Sequence, residues 1–296
     1  MPDSIVTATS KDGTISVAAG ITTNLVREAQ RRHSLSPTAS AALGRLMTGA
    51  ALLGTSLKGR ERLSVQVAGD GPLGSLVADV SLKDATLIGA RGYAARPEVD
   101  LPLNDSGKFD VGGAVGRGRL QVTVSYEVGQ PYVGIVELES GELGDDLAAY
   151  LVKSQQIPSV VALGVLADRS GIRAAGGVIV QALPGADERT LERLEAAAAL
   201  MLPVTEQIDG GATAADLAAA ATAGLDISPR GDYGVRFACR CSREKVEIAL
   251  LGLGREELER IAGEEPETEA ICEFCKHRYA LTPDEVLGLV RRLGAE

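Results

Sequence analysis

Tryptophan is absent from this chain of 296 residues, and the few phenylalanines and tyrosines bring the aromatic content to only 3 %. Its core must therefore rest on Val, Leu, Ile and Ala. Cysteine is missing from the first 238 residues, so any thiol or metal chemistry is confined to the last quarter. Histidine occurs only as His33 and His277, and no Ser-His-Asp or Cys-His set is assembled in the N-terminal domain. Nowhere do about 18 apolar residues run without interruption, and Met1-Pro2-Asp3-Ser4 does not open a basic segment followed by an apolar run. Neither a membrane span nor an export signal is expected, and the protein reads as soluble and cytoplasmic. Basic residues are also in the minority, 30 against 40 acidic ones; the formal charge of −10 argues against a nucleic-acid partner.

Hydrophobic content of 45 % with 24 % charged residues is that of a globular chain, long enough for a large core and a smaller module. Residues 4 to 19 read as a hairpin about Asp12-Gly13. Thr22 to Arg32 follows as a helix with Thr23 as a cap, ended by a solvated or C-capping His33. Ser36-Pro37-Thr38 starts a second helix to about Leu57, whose small residues and glycines allow burial on several sides. Alternating runs at 61 to 68 and near 75 to 80 flank Gly69-Asp70-Gly71-Pro72-Leu73-Gly74, which lacks a phosphate-loop pattern and reads as a tight connection. Further strands are expected at 84 to 92, 118 to 127 and 132 to 138. A long loop covers 94 to 118, a helix Asp145 to Gln156, and a last strand pair runs through 160 to 183 about Asp168-Arg169-Ser170-Gly171. Beyond Pro184-Gly185 the texture changes to weak amphipathic helices, one capped by Asp187 and an Ala-rich one over Thr213 to Ala223. The division is an N-terminal core over 1–183, a helical linker over 184–231 and a C-terminal module over 232–296.

The four cysteines organise that last module: Cys239-Arg240-Cys241, a spacer of residues 242 to 271, then Cys272-Glu273-Phe274-Cys275. Two close pairs on a spacer that can fold back have the layout of a tetrahedral zinc site with four thiolates, one Zn2+ per chain. Such a site has no open position for water, so hydrolytic chemistry is excluded and no enzyme is expected. At a Zn–S length of about 2.3 Å the sulfurs sit about 3.8 Å apart, a short approach from the ~2.05 Å of a disulfide. The metal is structural or regulatory; the single-residue gap in Cys239-Arg240-Cys241, against about two to four in ordinary ribbons, shifts weight toward a switch. In this short, charge-rich module a structural zinc can supply on the order of 10 kcal/mol of folding energy, so metal loss should unfold it. Ser242 caps a helix to about Leu251, a second spans about Glu256 to Ala262, residues 264 to 269 form an acidic loop, and Thr282-Pro283-Asp284-Glu285 opens a third with a capping box. His277 stands as a surface or helix-flanking residue rather than a ligand.

Cys239-Arg240-Cys241-Ser242-Arg243-Glu244 with Cys272-Glu273-Phe274-Cys275, Gln66-Val67-Ala68-Gly69-Asp70-Gly71-Pro72, and Gly141 through Tyr150 together resemble the redox-regulated heat-shock chaperone of thirty-three kilodaltons. Gly176-Gly177 and Gln181-Ala182-Leu183-Pro184-Gly185 look like that family's passage into its linker. The resemblance implies an α+β fold with a layered N-terminal sheet-and-helix core, a helical linker and a small C-terminal zinc-binding domain. It implies an ATP-independent holdase, inactive when reduced and zinc-bound, that captures unfolding client proteins under oxidative stress. Disulfides Cys239–Cys241 and Cys272–Cys275, zinc release, homodimerisation and hand-off of clients to an ATP-driven chaperone system follow from the same resemblance. Two other classes compete: a zinc-ribbon module for nucleic acid or ribosomes, which the acidic balance opposes, and a thiol-disulfide oxidoreductase, which lacks its usual βαβ surroundings.

Overall fold

The computed structural model describes residues 2–168, 171–222 and 224–293, and it separates into two compact units, Met1–Ala238 and Cys239–Glu296. In the first unit β1 (Ser4–Ser10) and β2 (Ile15–Ile21) form the expected hairpin, followed by α1 (Thr23–His33) and α2 (Pro37–Leu53). The strands β3 (Arg62–Gly69), β4 (Ser75–Asp84) and β5 (Leu87–Ala94) come next, then the short α3 (Val111–Val115) and β6 (Gly118–Ser125). Next are β7 (Tyr132–Glu137), α4 (Gly144–Lys153), β8 (Ser159–Asp168) and β9 (Gly171–Ala182); the turn expected at Arg169-Ser170 lies outside the described residues. The unit closes with α5 (Glu188–Leu200), α6 (Val204–Asp209), α7 (Ala214–Ala221) and β10 (Ile227–Phe237), the Ala223 end of the expected helix being outside the described residues.

All ten strands join one sheet in the order β7-β6-β3-β4-β5-β10-β1-β2-β9-β8, antiparallel throughout except where β10 runs parallel to β5. Helix α4 touches both edge strands, β7 and β8, so the sheet curls until its two ends share one helix. The helix enclosed by that curl is α2, in contact with β9, β4, β8 and β5. Leu43, Leu46, Met47 and Ala50 are wholly buried along it. Gly49 permits the approach, since a Cβ there would lie 2.3 Å from Leu147 Cδ1. Ser36 caps α2 by accepting from the Ala39 N–H at 3.0 Å, as its sequence indicates.

A second apolar cluster lies on the opposite face of β1, β2 and β9. Ile15, Val17, Ala19 and Ile21 of β2 and Val178 and Val180 of β9 meet Leu194, Val204 and Leu217 of α5, α6 and α7. Strand β9 is thus covered on both faces, which explains its near-continuous small and apolar run. The Gly69-to-Gly74 connection is a packing device: a Cβ at Gly69 would sit 1.9 Å from the Val115 carbonyl oxygen, while Asp70 accepts from the Arg117 N–H at 2.7 Å.

Several sequence expectations change. Thr23 does not cap α1, because its hydroxyl bonds the Ala175 carbonyl; the carboxylate of Asp3 accepts instead from the Asn24 and Leu25 N–H groups at 2.9 and 2.6 Å. His33 is buried rather than solvated, and the left-handed Ser34 ends the helix. Residues 227–237 are a strand inside the large sheet, so the compact unit ends at Ala238 and the division at 231/232 runs through β10. Helix α3 interrupts the stretch read as loop, and α6 was not anticipated.

The second unit contains α8 (Arg243–Leu251), α9 (Arg255–Glu264), the hairpin β11 (Thr268–Ile271) with β12 (Arg278–Leu281), and α10 (Pro283–Leu293). Its core is small, built on Leu258, Leu281, Val286, Leu289 and Val290. The capping box at Thr282 is present: Glu285 accepts from the Thr282 N–H at 2.8 Å. The acidic loop is shorter than expected, since Thr268 and Glu269 belong to β11. Among the described residues no helix is long and apolar enough to cross a membrane.

Candidate metal centre

Cys239 and Cys241 lead into α8, whose first turn is capped by Ser242 accepting from the Lys245 N–H at 3.3 Å. Cys272 to Cys275 form the turn of the β11–β12 hairpin. That turn is tightened by the Lys276 N–H donating to the Cys272 carbonyl at 2.7 Å and the Cys272 N–H donating to the His277 carbonyl at 2.9 Å. Lys276 takes a left-handed conformation (φ +57°) to close it. Folding brings all four sulfurs within 4.8 Å of one another. The contact between Cys239 and Cys272 is 3.7 Å and that between Cys241 and Cys275 is 3.4 Å, near the roughly 3.8 Å edge of a zinc–thiolate tetrahedron.

The surroundings suit a thiolate-bound cation. Burial pushes the thiols of Cys272 and Cys275 up, while backbone N–H groups of Cys275 and Phe274 aimed at the Cys272 sulfur, and that of His277 aimed at Cys275, oppose the shift. Such N–H···S contacts favour the ionised sulfur that a soft divalent metal requires. The Tyr279 hydroxyl donates to Cys241 Sγ at 3.1 Å, which pushes its own pKa up to about 12. The donor set and spacing fit one divalent metal held by Cys239, Cys241, Cys272 and Cys275. His277 lies outside the group; its ring meets Tyr279 edge-on at 4.6 Å between centroids. Tyr279 and the turn N–H groups were not found from sequence, because their roles depend on the hairpin rather than on residue type. The only signal was the alternation of Arg278 to Leu281.

Fold and site define a class: a curled α+β core continued by a small module in which two cysteine pairs converge on a metal-sized gap. The chain belongs to the Hsp33 protein family, whose model matches residues 3–282. The 33 kDa chaperonin of Desulforamulus reducens is 40 % identical over 294 residues, covering 99 % of each chain. That of Bacillus subtilis is 41 % identical over 293 residues, covering 97 % of this chain and 98 % of its own. The crystal structure of the 33 kDa chaperonin from Thermotoga maritima superposes with a TM-score of 0.91 over the whole of both chains at 33 % identity. Mixed α+β architecture with the cysteine cluster at the C-terminus is thereby established.

Proposed function

We propose that this chain is a non-enzymatic, ATP-independent holdase of the cytoplasm, resting in a reduced state with zinc on Cys239, Cys241, Cys272 and Cys275 and activated by oxidation of those residues. The observation that carries the reading is the convergence of four sulfurs within 4.8 Å in a unit whose apolar core is so small. Zinc, when bound, supplies a cross-link between the start of α8 and the β11–β12 turn and leaves no open coordination position.

The residues then act as follows. A thiolate of a pair attacks the distal oxygen of a peroxide, the O–O bond breaks, and a sulfenic acid and hydroxide result. The neighbouring thiolate attacks that sulfur, forming the S–S bond and expelling a second hydroxide, each hydroxide taking up a proton to become water. Both thiols are oxidised and the peroxide is reduced. Disulfides Cys239–Cys241 and Cys272–Cys275 withdraw all four ligands, and the second unit loses the folding energy that depended on them. Only Ala238 separates Phe237 of β10 from Cys239, and α5 to α7 precede β10 directly. Disorder spreading back along the chain releases those three helices and bares the apolar face of β2 and β9. Unfolding proteins bind there, two activated chains associate, and clients pass on to ATP-driven chaperones. In this reading the large sheet, residues 1–183 together with β10, holds client and partner, α5 to α7 mask it, and residues 239–296 sense the oxidant.

The test measures zinc release and suppression of client aggregation in the same full-length sample before and after peroxide with mild heat. Zinc release accompanied by onset of suppression is expected; equal suppression in both states overturns the reading.

A further inference from the structure

The curl of the large sheet leaves a second feature that the chaperone reading does not use. At one end, beyond the C-terminus of α2, the two arms of the sheet stand apart around a cavity of about 740 Å³, within the size range of small-molecule sites. Four of the chain's six tyrosines line it, each from a different element: Tyr126 after β6, Tyr132 in β7, Tyr150 in α4 and Tyr233 in β10. In a chain with no tryptophan this concentrates its aromatic surface at one opening.

The aromatic wall is held in place. Gln155 Nε2 donates to the hydroxyls of Tyr132 at 2.7 Å and Tyr150 at 2.9 Å, and Tyr132 shares a further hydrogen bond with Ser154 at 2.8 Å. Burial pushes the Tyr150 hydroxyl up, so it stays a neutral donor. Leu53 and Leu57 form an apolar floor at the end of α2. At the rim stand two cations, Lys58 and Arg230, neither of them within ion-pair distance of a carboxylate among the described residues. Arg230 Nε rests on Thr9 Oγ1 at 2.7 Å, and the one lining carboxylate, Glu61, accepts from the Lys58 backbone N–H at 2.8 Å. In a protein of formal charge −10, a cavity lined by two cations and one carboxylate beside an aromatic wall is a local exception.

We propose that this cavity is a binding site for a small anionic aromatic molecule, its ring system against the four tyrosines and its acid group on Lys58 and Arg230. Aromatic rings prefer offset or edge contacts with other rings, and the exposed guanidinium and ammonium at the rim supply the charge that fixes one end. The site lies wholly within residues 1–238 and is formed in the folded, reduced protein, so it stands independently of the redox reading.

The probe is 1-anilinonaphthalene-8-sulfonate, with N-phenyl-1-naphthylamine as the same ring system without the acid, added to full-length reduced protein carrying 3-fluorotyrosine. Six fluorine resonances, assigned by single Tyr→Phe replacements, report every tyrosine separately. Saturable shifts at Tyr126, Tyr132, Tyr150 and Tyr233, with Tyr93 and Tyr279 unmoved and a Kd of roughly 10–100 μM, are expected. Lys58→Gln with Arg230→Gln, both on exposed residues, should weaken the sulfonate on the order of tenfold while leaving the neutral compound within about twofold. Absence of shifts at 1 mM probe, shifts at Tyr93 or Tyr279 in place of the four, or equal loss of both compounds in the charge variants overturns the proposal.

Discussion

Asp146 shows how a single buried carboxylate builds the Gly141-to-Tyr150 segment. It accepts from the N–H groups of Glu139 at 2.7 Å, Ser140 at 3.2 Å and Leu143 at 3.0 Å, with Gly141 at 3.4 Å, and holds Leu143 in a left-handed conformation of φ +60°. Asp146→Ala leaves these donors without an acceptor, and chemical denaturation should show a loss of about 2–4 kcal/mol. The segment's recognisable sequence therefore reflects a turn, not a catalytic group. On α1, hydrogen bonds from Arg31 and then Arg32 hold Glu28 down to about 2 from an ordinary 4.5. A carboxylate depressed on folding stabilises the native state above its ordinary pKa and loses that effect as the pH falls through the folded value. Glu28→Gln should accordingly cost about 0.5 kcal/mol at pH 7, a difference that shrinks from about pH 4.5 and is gone near pH 2 in denaturation curves measured across that range. At the cluster, Cys272→Ser should lower zinc retained against a chelator well below one ion per chain; full retention contradicts the ligand assignment.

Among elements, those whose limits are set by local chemistry were legible in the sequence. Ser36, Asp187, Ser242 and the Thr282–Glu285 pair each cap the helix their residue types announce, and β6 alternates over its full length. Strand β10 was not legible: Pro229, Gly231 and Gly234 break any apolar alternation, and its extended form comes from lying between β1 and β5. Likewise, His33 gives no local sign of burial, and Asp3 caps a helix twenty residues away, which no window of sequence can reveal. The cysteine quartet was plain from spacing, whereas the Tyr279 donor and the tyrosine cavity depend on how distant elements meet. At this scale α7 offers a direct test. Leu217 is wholly buried against the β2–β9 face, so Leu217→Ala should loosen the helix by about 2–4 kcal/mol and give the reduced protein partial aggregation suppression without oxidant. A variant that stays inactive until oxidised, despite a measured loss of stability, speaks against these helices as the mask.

At the scale of the whole molecule, the chain joins two units with apolar cores of very different size. The first encloses α2 within a ten-stranded sheet, and the second rests, among the described residues, on a core of five buried apolar side chains and on four sulfurs. In the proposed mechanism oxidation acts on the second, and its effect would reach the first through covalent continuity from Cys239 back through β10 to α7, α6 and α5. Hydrogen exchange followed by peptide mapping, before and after peroxide treatment of the full-length protein, resolves this order of events. The account predicts that protection disappears across 239–293 and across 188–221 together, while β3, β4, β6 and α2 keep theirs. Retained protection in 188–221 after the second unit has opened would contradict it.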